Sequence, residues 1–284
     1  MPGESRWLVS TQWVADRLQS PDFVVVDGSF YLPAMKRDPA AEFLAGHIPG
    51  AVRFDVDEIS DKSSPLPHML PSKDEFARAV GGQLGIAERD TIVVYDGVGL
   101  FSAPRVWWTF RLFGASSVFI LDGGLARWKA EGRPIESGPA TPARKIFRAS
   151  EPAKIVAGIS QVRKALETKS AQVLDVRPAD RFRGETPEPR PGLRPGHMPG
   201  ARNVPSSTVV ENGSLASPDR IRAALAAGGI DLDRPIITSC GSGVSAATMW
   251  LALDSIGVTP QALYDGSWSE WGAHADLPVA TGEE

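Results

Sequence analysis

The segment Gly46-His47-Ile48-Pro49-Gly50-Ala51 returns 150 positions later as Gly196-His197-Met198-Pro199-Gly200-Ala201. Other landmarks return in the same order. Val25-Val26-Asp27 matches Val173-Leu174-Asp175, 148 positions on. Leu121-Asp122-Gly123-Gly124 with Trp128 matches Tyr264-Asp265-Gly266-Ser267 with Trp271, 143 on, and Pro134 matches Pro278, 144 on. An ordered set at nearly constant offset marks a duplicated unit, and its period is too long for a solenoid repeat. With 284 residues, each copy has the size of a domain. Glu136-Ser137-Gly138-Pro139-Ala140-Thr141-Pro142, rich in Pro and small residues, reads as a linker. The expected domains are therefore 1–138 and 153–284, joined by a linker at 139–152.

Within each copy short apolar runs alternate with helical stretches. Phe23–Val26, Ile92–Tyr95 and Val118–Leu121 suit buried strands, as do Val173–Leu174, Ile236–Ser239 and Ala262–Tyr264. Helices are expected over Thr11–Leu18 after Ser10, Lys73–Leu84 after Ser72, and Pro104–Phe113, then from near Ser160, Ser217 and Val244. This alternation predicts an α/β fold in which each copy is a central, mostly parallel sheet flanked by helices. Ligands of such sheets sit at the carboxyl ends of the strands.

Composition removes several classes of function. The single cysteine, Cys240, excludes an internal disulfide framework. A net charge of −4 without a basic block gives no footprint for nucleic acid. No run of about 18 apolar residues predicts a membrane span, and Met1 to Arg6 does not open like a signal peptide. A cytoplasmic protein is the expectation. Four histidines and one cysteine, without CxxC or HxxxH spacing, give no zinc signature. Asp96 to Ser102 does not complete a dinucleotide-binding glycine pattern. No metal and no cofactor are expected.

Cys240 follows the apolar run Ile236-Ile237-Thr238-Ser239 and precedes Gly241-Ser242-Gly243-Val244-Ser245-Ala246, which leads into a helical pattern. Most free cysteines are small buried hydrophobes. Two glycines at a strand-to-helix turn favour a different reading, because such a loop turns backbone N–H groups inward as an anion-binding nest at a helix N-terminus. A nest of this kind stabilises anionic sulfur. In the other copy Asp96-Gly97-Val98-Gly99 stands in register with Cys240-Gly241-Ser242-Gly243. The first copy is thus expected to be chemically silent and the second active.

The duplicated unit, the G-H-x-P-G-A segments, the D-G-G/S…W segments and the cysteine loop together resemble the tandem rhodanese-domain sulfurtransferases, over almost the whole chain. Within that family the loop C-G-S-G-V-S-A is most similar to the form C-G-S/T-G-V-T-A of members that use 3-mercaptopyruvate. Ser245 replaces the threonine but keeps a hydroxyl. Thiosulfate-preferring members carry C-R-K-G-V-T-A, whose two cations suit a dianionic donor. The resemblance implies sulfur transfer through a Cys240 persulfide cradled by the N–H groups of Gly241, Ser242, Gly243, Val244, Ser245 and Ala246. It implies a small-molecule sulfur donor, release of pyruvate, and an acceptor such as thioredoxin, another thiol or cyanide. Two alternatives stand beside it: a thiosulfate:cyanide sulfurtransferase and a non-catalytic sulfur-carrier module. A cysteine phosphatase would need an arginine at position 246, which is Ala246.

The Pro-rich segment Arg181-Phe182-Arg183-Gly184-Glu185-Thr186-Pro187-Glu188-Pro189-Arg190 has neither helical nor strand period. It is either a solvated charged loop or a carboxylate clamp, since guanidinium groups bind carboxylates bidentately. The family resemblance assigns the clamp to Arg181 and Arg190, and leaves Arg177 and Arg183 to structural or rim roles. It also matches Phe54-Asp55-Val56-Asp57 and Ser64-Pro65-Leu66-Pro67-His68-Met69-Leu70-Pro71 to segments that supply an Asp–His–Ser relay. The positions are Asp57, His68 and Ser242, although His68 packed in its loop is the plainer reading. His47 and His197 recur in both copies, so turn and packing roles are expected for them. Trp107, Trp108, Trp128 and Trp271 read as core or interdomain packing. A monomer is expected, since two domains already bury one interface.

Overall fold

The computed structural model describes residues 5–152 and 154–283. The expected domain edges at 1, 153 and 284, and the Met1–Glu4 start, lie outside the described residues.

The first copy contains strands β1 (Leu8–Val9), β2 (Phe23–Asp27), β3 (Val52–Arg53), β4 (Thr91–Tyr95) and β5 (Ser117–Leu121). The second contains β6 (Val156–Ala157), β7 (Gln172–Asp175), β8 (Arg202–Asn203), β9 (Val210–Glu211), β10 (Ser214–Leu215), β11 (Ile236–Ser239) and β12 (Ala262–Tyr264). Two five-stranded sheets form, with orders β1-β5-β4-β2-β3 and β6-β12-β11-β7-β8. Every pairing within them is parallel. The equivalence of the two orders is the duplication expressed as topology. Continuous apolar runs such as Ile236–Ser239 are buried along their whole length, as strands covered on both faces must be.

Helices of the first copy are α1 (Thr11–Ala15), α2 (Pro39–Ala45), α3 (Lys73–Ala77), α4 (Ala103–Leu112) and α5 (Gly124–Ala130). Those of the second are α6 (Ile159–Thr168), α7 (Ala179–Phe182), α8 (Pro218–Ala227), α9 (Ala246–Ser255) and α10 (Ser267–Trp271). The serines expected to cap helices do so at three positions. Ser10 accepts from Trp13 N–H, Ser217 from Arg220 N–H, and Ser72 forms a reciprocal box with Glu75. The helix expected over Lys73–Leu84 holds α-geometry only to Ala77 and widens into a π-helical stretch over Arg78–Gln83. The physical reason is the chain packed against it. A β-carbon at Gly81 would lie 2.7 Å from the Lys145 carbonyl oxygen, and Lys145 N–H donates to the Gly81 carbonyl at 2.9 Å. The helix expected from Thr11 to Leu18 likewise ends early, at Ala15.

Residues 139–152 contain no helix or strand, yet they strap onto the first copy. Phe147 is buried beside Phe76, with ring centroids 5.3 Å apart, and Ser150 N–H donates to the Phe113 carbonyl at 2.9 Å. The recurring landmarks have common structural causes. Trp128 Nε1 donates to the Pro134 carbonyl and Trp271 Nε1 to the Pro278 carbonyl, at 2.8 and 2.9 Å. His47 stacks on Phe43 and His197 on Phe182, each imidazole Nδ1 bonding the carbonyl of the ring it stacks on. The histidines have the packing role expected of them.

The two copies share one hydrophobic core, running from Val26, Trp107 and Trp108 through Cys240, Val244 and Trp250. Helices α4 and α9 pack across it, with Trp108 and Trp250 centroids 6.0 Å apart. At the margin Trp7 Nε1 donates to Asp254 at 2.7 Å, and the Arg111 guanidinium lies 3.9 Å from the Trp7 ring centroid. These contacts fix the first copy against the face on which Cys240 opens.

Candidate active site

Cys240 directly follows the carboxyl end of β11, where a parallel sheet places its ligands. The residue is only 2% exposed. Its N–H donates to Ser267 Oγ at 3.1 Å and its carbonyl accepts from Trp268 N–H at 3.0 Å. The Gly241 carbonyl accepts both the Ser269 N–H, at 2.9 Å, and the Ser269 hydroxyl, at 2.7 Å. These bonds pull the loop's carbonyls away from the sulfur side. Among the described residues, the N–H groups from Gly241 to Ala246 donate to no protein acceptor. They form an open set of donors at the start of α9. Gly243 has φ +78°, a conformation that favours glycine.

The register partner in the first copy, Asp96, follows β4 on a related strand-to-helix turn with a different content. Its carboxylate accepts N–H groups from Val98 (3.0 Å), Gly99, Phe101 (2.9 Å), Ser102 (2.9 Å) and Ala103 (2.8 Å). Asp96 is buried. The nest at the start of α4 is thus filled by the chain's own anion. In the first copy, then, the turn between strand and helix gathers its N–H groups on a carboxylate.

Above Cys240 lies a cavity of about 130 Å³. Cys240, Gly241, Ser242, Val244 and Ser245 line it from the loop, whereas Gly243 and Ala246 do not. Phe30, Leu32 and Phe101 close it from the first copy. Arg181 and Arg190 line it from the Pro-rich segment, together with Pro189, while Glu185 and Pro187 of the same segment are exposed. Arg181 is paired with Glu188, its Nε also 3.3 Å from Glu188 Oε1. Arg190 makes no such pair among the described residues; burial holds it below the ordinary guanidinium range, opposed by attraction to Cys240 and Asp57.

Arg177 and Arg183 have structural roles. Arg177 is buried, donating from Nη2 to Asp175 at 2.7 Å and to the Gly196 carbonyl at 2.8 Å, and from Nη1 to Glu188 at 2.7 Å. Burial disfavours its charge, but Asp175 and Glu188 outweigh that and raise its pKa above the usual value. Arg183 pairs with Glu185 at the surface, at 2.7 Å. Glu188 orders the clamp from within, bridging Arg177 and Arg181. Sequence reasoning passed over it, because a carboxylate inside an Arg-rich loop is the ordinary composition of a charged surface.

Asp57, His68 and Ser242 come together although Ser242 lies in the other copy. His68 Nδ1 is 2.9 Å from Ser242 Oγ and His68 Nε2 is 3.0 Å from Asp57 Oδ1. His68 is buried and its ring meets Phe30 edge-on, with centroids 4.8 Å apart. The hydrogen bond from His68 lowers the pKa of Asp57, against partial burial, with attraction to His68 and Arg190 adding to it. Arg105 and Asp265, which adjoin this group, also escaped the sequence reading. Asp265 belongs to a repeated D-G turn and Arg105 to a largely apolar helix buried almost all round, and neither local pattern points across a domain interface. Among the described residues, no cluster of three or more His, Cys, Asp or Glu side chains is arranged to hold a metal ion. No helix among them is long and apolar enough to cross a membrane.

The rhodanese-like domain model matches residues 10–131 and again 159–274. The chain belongs to the rhodanese-like domain family, as a tandem pair. It is similar to the 3-mercaptopyruvate sulfurtransferase of Escherichia coli (strain K12), 46% identical over 274 residues that cover 96% of this chain and 97% of that protein. It is also similar to the thiosulfate sulfurtransferase of Bos taurus, 42% identical over 274 residues covering 94% and 92%. Among solved structures, SseA from Escherichia coli, described as a 3-mercaptopyruvate sulfotransferase, superposes with a TM-score of 0.85. It is 42% identical, over 92% of this chain and 98% of that one.

Proposed function

We propose that this protein is a sulfurtransferase that takes sulfur from 3-mercaptopyruvate through a persulfide on Cys240 and passes it to a thiol or cyanide, releasing pyruvate. The observation that carries the reading is the open nest at Cys240, beside its counterpart filled by Asp96. The first copy's turn gathers its N–H groups on the Asp96 carboxylate, and the matching turn after Cys240 leaves its own for a sulfur anion.

The cycle has two halves. Arg190 and Arg181 hold the donor's carboxylate and keto oxygen. The Cys240 thiolate attacks the donor sulfur; the S–S bond forms as the S–C bond breaks, and its electron pair leaves on carbon as the enolate of pyruvate. Ser242, hydrogen-bonded to His68, supplies the proton that converts the enolate to pyruvate. His68 replaces that proton and Asp57 stabilises the imidazolium. The persulfide rests against the N–H groups of Gly241 to Ala246. A thiol acceptor then gives its proton back to the relay at His68 as its sulfur attacks the outer sulfur of the persulfide; the Cys240–S bond breaks and Cys240 leaves as thiolate. Covalent catalysis of this kind predicts ping-pong kinetics.

A thiosulfate-using enzyme is the second reading, favoured by the bovine relative. Gly241 and Ser242 stand where a dianion would meet cations, and of the cavity arginines Arg177 is bound up by Asp175 and Glu188. That leaves charge suited to one carboxylate. We place the division between the copies in the strap at 139–152, with a monomer working in the cytoplasm. Mixing the protein with mercaptopyruvate and weighing it tests the reading. A gain of one sulfur, about 32 Da, on Cys240 and its absence in Cys240→Ser support it. A missing adduct makes the protein a binding module, and a large kcat/KM advantage for thiosulfate transfers the assignment to the rival donor.

A further inference from the structure

The first copy has no nucleophile, yet one of its arginines reaches the second copy's catalytic loop. Arg105, in the first turn of α4, is 3% exposed. Its Nη1 donates to the Gly243 carbonyl at 3.2 Å and its Nη2 to the His68 carbonyl at 2.8 Å. The same Nη2 lies 2.6 Å from Asp265 Oδ1. The other oxygen of Asp265 accepts the Leu70 N–H at 2.8 Å. One guanidinium and one carboxylate therefore join three segments: the loop after Cys240, the loop bearing His68, and the turn after β12. The planar fork of arginine suits such a junction, because its donors diverge in fixed directions.

Two of the bonds grip the chain just after a strained residue. His68 has φ +60°, a left-handed conformation that is uncommon for a non-glycine residue. Such conformations cost about 1–3 kcal/mol and persist only where the surroundings over-determine them. Here its carbonyl is tied to Arg105, and the N–H two residues on is tied to Asp265. The fit is close on the opposite side as well. A β-carbon at Gly243 would stand 2.9 Å from Arg105 Nη1 and 2.8 Å from the Asp265 carbonyl oxygen. A buried ion pair is a poor device for stability, since its desolvation offsets its attraction. Its value here is geometric.

We propose that Arg105 and Asp265 are positioning residues that hold His68 against Ser242 across the domain interface, without touching the reacting sulfur. The proposal rests on the reading of His68 and Ser242 as a proton relay. Freed from the clamp, the His68 peptide relaxes out of its left-handed conformation and the 2.9 Å contact to Ser242 opens. Displacements of about 1 Å at a reacting group cost on the order of 100-fold in rate.

The test is a steady-state comparison of Arg105→Lys, the pair Arg105→Met with Asp265→Asn, and His68→Ala, each alone and the pair combined with His68→Ala. The Met/Asn pair removes both buried charges together, so neither is left unpaired in the core. It is expected to lower kcat by roughly 10- to 100-fold with KM changed by less than about twofold. Arg105→Lys is expected to keep the wild-type Tm, because the ammonium still pairs with Asp265, yet to share most of the kcat loss, because it cannot span both carbonyls. In the His68→Ala background the clamp variants are expected to add nothing, as befits residues that act through His68. Loss of kcat in His68→Ala with wild-type kcat in the Met/Asn pair overturns the clamp alone. So does a loss that adds in full to that of His68→Ala, or full activity in Arg105→Lys. Wild-type kcat in His68→Ala overturns the relay, and the clamp with it.

Discussion

Removing the Asp96 carboxylate empties the nest of the silent copy, and its consequence can be worked from the structure. Five backbone N–H groups donate to this one side chain, which is 1% exposed. Bonds to a charged acceptor contribute about 1.5–3 kcal/mol each, so the gross stabilisation is on the order of 10 kcal/mol. Burying the carboxylate costs several kcal/mol in return. Truncation that strands the remaining buried partners of a charge costs about 3–5 kcal/mol. For a domain of this size each kcal/mol moves Tm by about 2–4 °C. Asp96→Ala is therefore expected to lower Tm by about 10 °C, read by calorimetry. It should also open a site for small anions. Added formate, matched against chloride at equal ionic strength, is expected to raise Tm in the variant and not in the parent, by mass action on the folded state. Asp96→Asn, which turns N–H donors of its own toward the nest, should be no better than the alanine variant. A fall of less than about 3 °C, or an equal formate effect in both proteins, refutes the idea that the fold makes an anion receptor at this turn.

Other expectations follow from the site and the core. Arg190→Leu and Arg181→Leu should each raise KM for mercaptopyruvate by roughly tenfold or more, since a charge-assisted carboxylate contact contributes about 1.5–3 kcal/mol; unaltered kinetics would remove both from the clamp. Gly243→Ala should cost most of the activity, because φ +78° and β-carbon distances of 2.8 and 2.9 Å force the loop to move; wild-type turnover would show the loop to be plastic. The Asp57–His68 contact should persist through the ordinary carboxylate range and be lost only as pH falls through the lowered pKa of Asp57, because a depressed carboxyl stabilises the fold above its unfolded pKa. A Tm–pH profile in which Asp57→Asn differs from the parent at neutral pH and converges with it in acid would bear this out; parallel profiles would not. Asp27 has the opposite sign. Burial raises its pKa, so its ionised form is a liability that fades as pH falls, and Asp27→Asn should raise Tm above neutrality with a shrinking gain in acid.

The architecture was legible because the informative elements are long enough to carry a pattern. Parallel strands buried on both faces are continuous apolar runs, and Ser10, Ser72 and Ser217 announce their helices through a side-chain acceptor. The two-residue strands β1, β3, β6 and β8 have no period to read. The β9–β10 hairpin did carry a signal. Asn212 and Gly213 have φ +51° and +76°, the two left-handed residues of a type I′ turn, and Asn-Gly is its common sequence. Of the site, Cys240 and its loop were readable from a local juxtaposition of strand, glycines and helix. Arg181 and Arg190 were readable only through a family likeness, since an arginine-rich loop is equally a solvated one. Arg105 was not readable at all. Its partners Gly243 and Asp265 lie in the other copy, and only the folded interface brings them within reach.

Helices α4 and α9 occupy corresponding places in the repeat, and each packs directly on the other. Their seam therefore belongs to neither half. A chain severed in the strap would leave Trp108 on one piece and Trp250 on the other facing water, with the core between them laid open. In evolutionary terms the duplication behaves as a ratchet. With two units sharing a single interior, the first can do without a thiol but cannot be deleted.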